Sequence, residues 1–90
     1  MSLSAEEIES LTENPLFKFV KKEDLETISN ALDEAVVSVD DHCIDNFRVF
    51  PEIMSFDYNK VAEDGCCGSY DSEVIAPSGV KYLIGFNYGH

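Results

Sequence analysis

Apolar and polar positions alternate in three distinct ways along the chain, and each predicts a different element. Ser4-Ala5-Glu6-Glu7 has the form of a capping box, in which Ser4 accepts from the Glu7 amide and the Glu7 carboxylate accepts from the Ser4 amide. Ile8 and Leu11 supply a short apolar stripe behind it. Asn14-Pro15 ends that helix, because the residue before proline is pushed out of the α region. Leu16 to Val20 is a compact apolar segment. Leu25, Ile28, Leu32, Ala35, Val36 and Val39 then recur at steps of three and four, the signature of an amphipathic helix. The same stripe reaches Cys43 and Phe47, and no Gly or Pro stops it, so the spacing predicts a helix that stops near Val39 or runs on to about Asn46, the longer form being preferred.

Beyond Pro51 the period changes. Met54, Phe56 and Tyr58 alternate with Ser55, Asp57 and Asn59, which predicts a half-buried strand. Glu63-Asp64-Gly65 reads as a turn, extended by Gly65-Cys66-Cys67-Gly68 into a loop. Tyr70 to Ala76 and Val80 to Tyr88 form the arms of a hairpin around Pro77-Ser78-Gly79. On the second arm Val80, Tyr82, Ile84, Phe86 and Tyr88 share one face, and Lys81, Leu83, Gly85 and Asn87 the other. Helices followed by strands predict an α+β domain: two N-terminal helices packed on a small C-terminal antiparallel sheet of about three strands. At 90 residues the chain is expected to form one domain, 1–90.

Composition supports a core and excludes several partners. Apolar residues make up 44% of the chain, with six Phe and four Tyr to fill the interior. Eighteen Asp and Glu face six Lys and Arg, a formal net charge of −12. A field of that sign repels nucleic acid and anionic lipid, so neither direct nucleic-acid binding nor membrane binding is expected. No stretch is long and apolar enough to span a bilayer. The first residues lack a signal peptide's basic and apolar regions, and three Cys do not make a secreted disulfide framework. The expected compartment is the cytoplasm.

Candidate chemistry is sparse. Adjacent Cys66 and Cys67 chelate one tetrahedral ion poorly, and no regular spacing ties them to His42, Cys43 or His90. They also lack the C-x-x-C spacing of a redox pair and any recognised nucleophile signature. The expectation is therefore no metal, no cofactor and no catalytic residue; a small Cys/His-dependent enzyme or metal module around Cys66, Cys67 and His90 is the alternative. Asp57-x-Asn59 fails as a calcium loop, since Val61 and Ala62 occupy its fifth and sixth positions, where a ligand and the turn glycine belong.

The acidic residues are the stronger lead. Glu6, Glu9, Glu13, Glu26, Asp33, Glu34, Asp40, Asp41 and Asp45 fall mostly on the polar faces of the two expected helices, with few cations at pairing distance along the chain. Side by side, the helices would present one continuous negative surface. The expected partner is a basic protein surface, occupied by a non-enzymatic binding protein that imitates phosphates. In size, acidity and lack of catalytic signatures the chain resembles compact phage and mobile-element inhibitors, and immunity proteins that plug basic toxins. That resemblance is one of composition and transfers no residues. An accessory domain acidic only for solubility fits the same charge.

Overall fold

The computed structural model describes residues 4–40, 43–63 and 68–89. The capping box forms as expected: the Ser4 hydroxyl accepts from the Glu7 amide at 3.2 Å and the Glu7 carboxylate from the Ser4 amide at 3.4 Å. It starts α1 (Ala5–Glu13), which ends at Asn14. The Asn14 side chain then caps a 3-10 turn, Pro15–Phe17, that buries Phe17. A second 3-10 turn, Lys22–Asp24, leads into α2 (Leu25–Val39). Leu25, Ile28, Leu32 and Ala35 are its buried stripe.

Two elements differ from the sequence-based expectation. The helix does not run on to Asn46. Asp40 takes a left-handed conformation (φ 53°), a short polar residue filling a role usually given to Gly. The chain then enters β1 (Ile44–Pro51). Phe47, 39% exposed, touches the core from a strand through its ring contact with Phe86 at 5.4 Å.

The expected strand around Met54–Tyr58 is instead a 3-10 turn, Glu52–Met54, continuing into α3 (Ser55–Ala62). Met54, Tyr58, Val61 and Ala62 turn inward at helical spacing, while Phe56 lies 78% exposed. The period-two pattern was a coincidence of Phe56, whose ring faces outward.

The hairpin is as expected. β2 (Gly68–Ile75) and β3 (Lys81–Tyr88) pair without a break in register, and Gly79 (φ 91°) supplies the turn's left-handed residue. β1 also pairs antiparallel with β3, so the strand order is β1-β3-β2. The architecture is thus α+β with a three-stranded antiparallel sheet, but one strand and one helix lie between the N-terminal helices and the hairpin.

The central strand separates two environments. Tyr82, Ile84 and Phe86, with Val49 of β1, meet Leu25, Ile28, Leu32 and Ala35 of α2 in the main core. α3 covers the opposite face, where Tyr58 sits edge-on to Phe50 and its hydroxyl lies over Gly85. Helices therefore pack on both faces of the sheet. Among the described residues no helix is long and apolar enough to cross a membrane.

Candidate functional site

The carboxylates singled out from the sequence are mostly exposed. Glu6, Glu9 and Glu13 lie on one stripe of α1, opposite Ile8 and Leu11, as steps of three and four require. Asp33, Glu34, Asp40 and Asp45 are exposed, Glu26 is half-buried, and Asp41 lies outside the described residues. None of the described ones forms an ion pair within the described residues. The ion pairs there are Arg48 with Asp71, and Lys81 with Glu52 and Glu73. Lys18 is placed over the Phe19 ring, 4.8 Å from its centre.

The fold divides the acidic surface that the sequence suggested was continuous. Asp33 borders a groove between α1 and α2 with Leu11, Leu16 and Phe47. Its neighbour Glu34 borders a groove on the other side of α2, with Ser38, Tyr70 and Ser72. Consecutive helical residues point about 100° apart, so the charge wraps around α2 and does not form a flat row.

Beneath α3 lies a polar cluster that sequence reasoning missed. Arg48 and Asp71 occupy the two outer strands and both stand opposite Gly85 of the central one. The missing side chain at Gly85 lets them meet: Arg48 Nη2 donates to Asp71 Oδ1 at 2.8 Å. Arg48 Nη1 donates to Asn87 Oδ1 at 3.1 Å and to the Asn46 carbonyl at 3.2 Å. Its Nε has no partner among the described residues. The Tyr58 hydroxyl donates to Asp71, with the Ile84 carbonyl oxygen 3.1 Å away. The Arg48 side chain is fully buried, whereas that of Asp71 is 47% exposed.

The electrostatics of this cluster are those of a clamp. Burial pushes the Asp71 carboxyl up, but donation by Tyr58 and Arg48 prevails and holds it below the usual value. Burial, reinforced by the bond to Asp71, pushes the Tyr58 hydroxyl up to about 12. Near neutral pH neither group changes its proton, and both donors, Arg48 and Tyr58, are turned to the Asp71 carboxylate. The usable signals in the sequence were a Gly inside one expected hairpin arm and an Asp inside the other.

A second buried carboxylate ties the hairpin to the helical layer. Asp24 accepts from the Ser78 hydroxyl at 2.6 Å, the Ser78 amide at 3.1 Å and the Tyr82 hydroxyl at 2.8 Å. The Tyr82 oxygen in turn accepts from the Lys21 amide at 3.1 Å. Burial opposes the charge on Asp24, but these donors outweigh it and keep the carboxyl below its usual value.

Cys66, Cys67, His42 and His90 lie outside the described residues. Cys43 is exposed at the start of β1. Among the described residues no group of three or more His, Cys, Asp or Glu is arranged to hold a metal ion. Comparison with known proteins finds no family model, no curated protein and no solved structure that matches this chain.

Proposed function

We propose that this chain is a non-enzymatic acidic binding protein that occupies a basic surface on another protein, one built to receive nucleic acid or carried by a basic toxin. One observation carries this reading. The exposed carboxylates of α1, α2 and the turn after α2 have no cationic partner among the described residues. Like charges held together raise the energy of the folded chain, and an external counter-charge relieves them. Asp24, which is buried, and Asp71, which is half-exposed, are by contrast satisfied from within. Internal ionic needs are therefore met separately, and the surplus of negative charge stays outside.

Association of this kind is steered by charge and weakens with salt. The test is retention of proteins from a host lysate on the immobilised chain at low and high salt, identified by mass spectrometry. A basic nucleic-acid-binding protein or toxin that elutes with salt is expected. Reversing Glu9, Glu13 and Asp33 together to Lys is expected to weaken its binding by about ten-fold or more, whereas Glu63→Lys leaves it nearly unchanged. Retention of nothing basic, or equal loss at both places, overturns the reading and leaves the acidity to solubility.

A further inference from the structure

α1 is the least attached helix of the fold. None of its nine residues is buried. It lies against α2 and meets the core through the half-buried Ile8 and Leu11. Among the described residues its hydrogen bonds stay within the helix and its two caps, and no ion pair reaches it. A hollow of about 270 Å³ stays open between α1 and α2. Leu16, Leu32, Val36 and Phe47 border it, and Ser29 and Asp33 are the polar residues of its lining.

Charge opposes the contact that holds α1 in place. α1 carries Glu6, Glu7, Glu9 and Glu13, and α2 carries Glu26, Asp33 and Glu34, with no Lys or Arg in either helix. Like charges on two packed helices favour their separation. Elements with so little buried surface open at low cost, and a nine-residue helix released into water unwinds.

The seat on α2 defines what fills it. Its shape suits an amphipathic helix, since one with apolar residues three apart rests there already. Its charge suits the opposite sign from α1. Asp33 borders the hollow and takes part in no ion pair among the described residues. Exposed Asp40 lies seven residues on, along the same side of α2.

We infer that α1 is an exchangeable occupant of this seat, and that the partner displaces it with a basic amphipathic helix of its own. The apolar stripe of that helix meets Leu16, Leu32, Val36 and Phe47, and its flanking Lys or Arg residues meet Asp33 and Asp40. An amphipathic helix laid into an apolar groove takes its affinity from such anchors. A second copy of this chain cannot supply the helix, because neither α1 nor α2 carries a cation. The inference deepens the proposed function and rests on its premise of a basic partner.

The test is a titration of the isotope-labelled chain, followed by amide NMR and hydrogen exchange. The probe is a capped peptide of about eighteen residues with Leu at helical spacing and Lys between, long enough to form a helix. A companion peptide has the same composition in an order that forms no stripe. With the first peptide, the α1 amides are expected to move to unfolded positions and lose protection. Shifts are expected at Leu16, Phe47 and residues 29–36, with β2 and β3 unmoved. The companion is expected to bind on the order of ten-fold more weakly. Ile8→Ser with Leu11→Ser frees the seat in advance and is expected to tighten binding several-fold, with unchanged β2 and β3 amides showing that the fold persists. Asp33→Asn, on the surface, is expected to weaken it several-fold.

Weaker binding by the serine variant, or stronger protection of α1 in the presence of peptide, overturns the exchange and makes α1 a wall of the groove. Parent-like binding by Asp33→Asn overturns it too. Equal binding of the two peptides overturns it and leaves a contact of charge alone, with the proposed function intact. Failure of the wider reading is seen separately, as a lysate that yields no salt-eluted basic partner.

Discussion

Gly85 and Phe86 are neighbours in the central strand and look to opposite faces of the sheet, and the two faces are held by different physics. Phe86 is fully buried among rings, 5.3 Å from Tyr70, 5.4 Å from Phe47 and 6.3 Å from Tyr88 between centres. That face gains from area and shape, which are not directional. Gly85 holds open the space where Arg48, Asp71 and Tyr58 converge. α3 has eight residues and buries only Tyr58, too little apolar surface to cover the sheet. Arg48 completes the cover with its aliphatic stem, and its charged end requires a partner that only strand register can place. One face therefore depends on volume, the other on aligned donors and acceptors.

The largest effect is expected where that difference is sharpest. A Cβ at Gly85 would lie 2.4 Å from the Tyr70 carbonyl oxygen and 2.6 Å from the Tyr58 hydroxyl. The first of these is backbone and cannot rotate away. Gly85→Ala is expected to cost about 3 kcal/mol or more, measured as a fall in the urea midpoint. Phe86→Ala, which removes a whole ring from the other face, is expected to cost about 3–5 kcal/mol. Adding one methyl group below the sheet thus rivals deleting a phenyl group above it. A Gly85→Ala chain as stable as the parent would show that the polar face is loosely held.

A smaller pair of changes separates charge from packing within the polar face. Asp71→Ala leaves a fully buried guanidinium without its counter-charge and is expected to cost about 3 kcal/mol. Arg48→Met keeps most of the stem and leaves a half-exposed carboxylate that water can reach. Its expected cost is about 1 kcal/mol. Both are read from urea unfolding. If the order is reversed, the stem of Arg48 holds this face and the ion pair does not.

The two faces were also unequally legible in the sequence. The apolar face could be read from period alone. Leu25, Ile28, Leu32 and Ala35 mark one side of a helix, and Tyr82, Ile84 and Phe86 one side of a strand, because burial imposes those spacings wherever it occurs. The hairpin followed from Pro77-Ser78-Gly79. The polar face could not be read this way, since Arg48, Asp71 and Tyr58 come from three separate elements and meet only through pairing register. β1 was hidden because Cys43 and Phe47 extend the stripe of α2, and the break falls at an Asp, not a Gly. α3 was hidden because Phe56 is exposed and mimics an alternating strand. Among the described candidate acidic residues all but half-buried Glu26 lie exposed, but Asp33 and Glu34 border opposite grooves, a separation set by where α1 and β2 pack.

The smallest expected effects appear in the dependence of stability on pH, and they again distinguish the faces. Asp24, which pins the hairpin turn to the helical layer, and Asp71, on the polar face, both have folded carboxyl values below the ordinary 3.8. Their contribution to stability is present above that value and is lost as pH falls through the lower folded values. Tyr58 behaves oppositely. Its hydroxyl is raised from 10.0 to about 12, so its contribution is present below pH 10 and is lost as pH rises through 12. Urea midpoints taken across the pH range are thus expected to fall at both ends. Asp24→Asn flattens the acid limb and costs about 1–2 kcal/mol at neutral pH, since the amide cannot accept from Ser78 and Tyr82 at the same oxygen without its NH2 group meeting another donor. Tyr58→Phe weakens the alkaline limb, part of which Tyr82, also raised by burial, retains. An acid limb unchanged by Asp24→Asn would place the acid sensitivity of this chain entirely beneath α3.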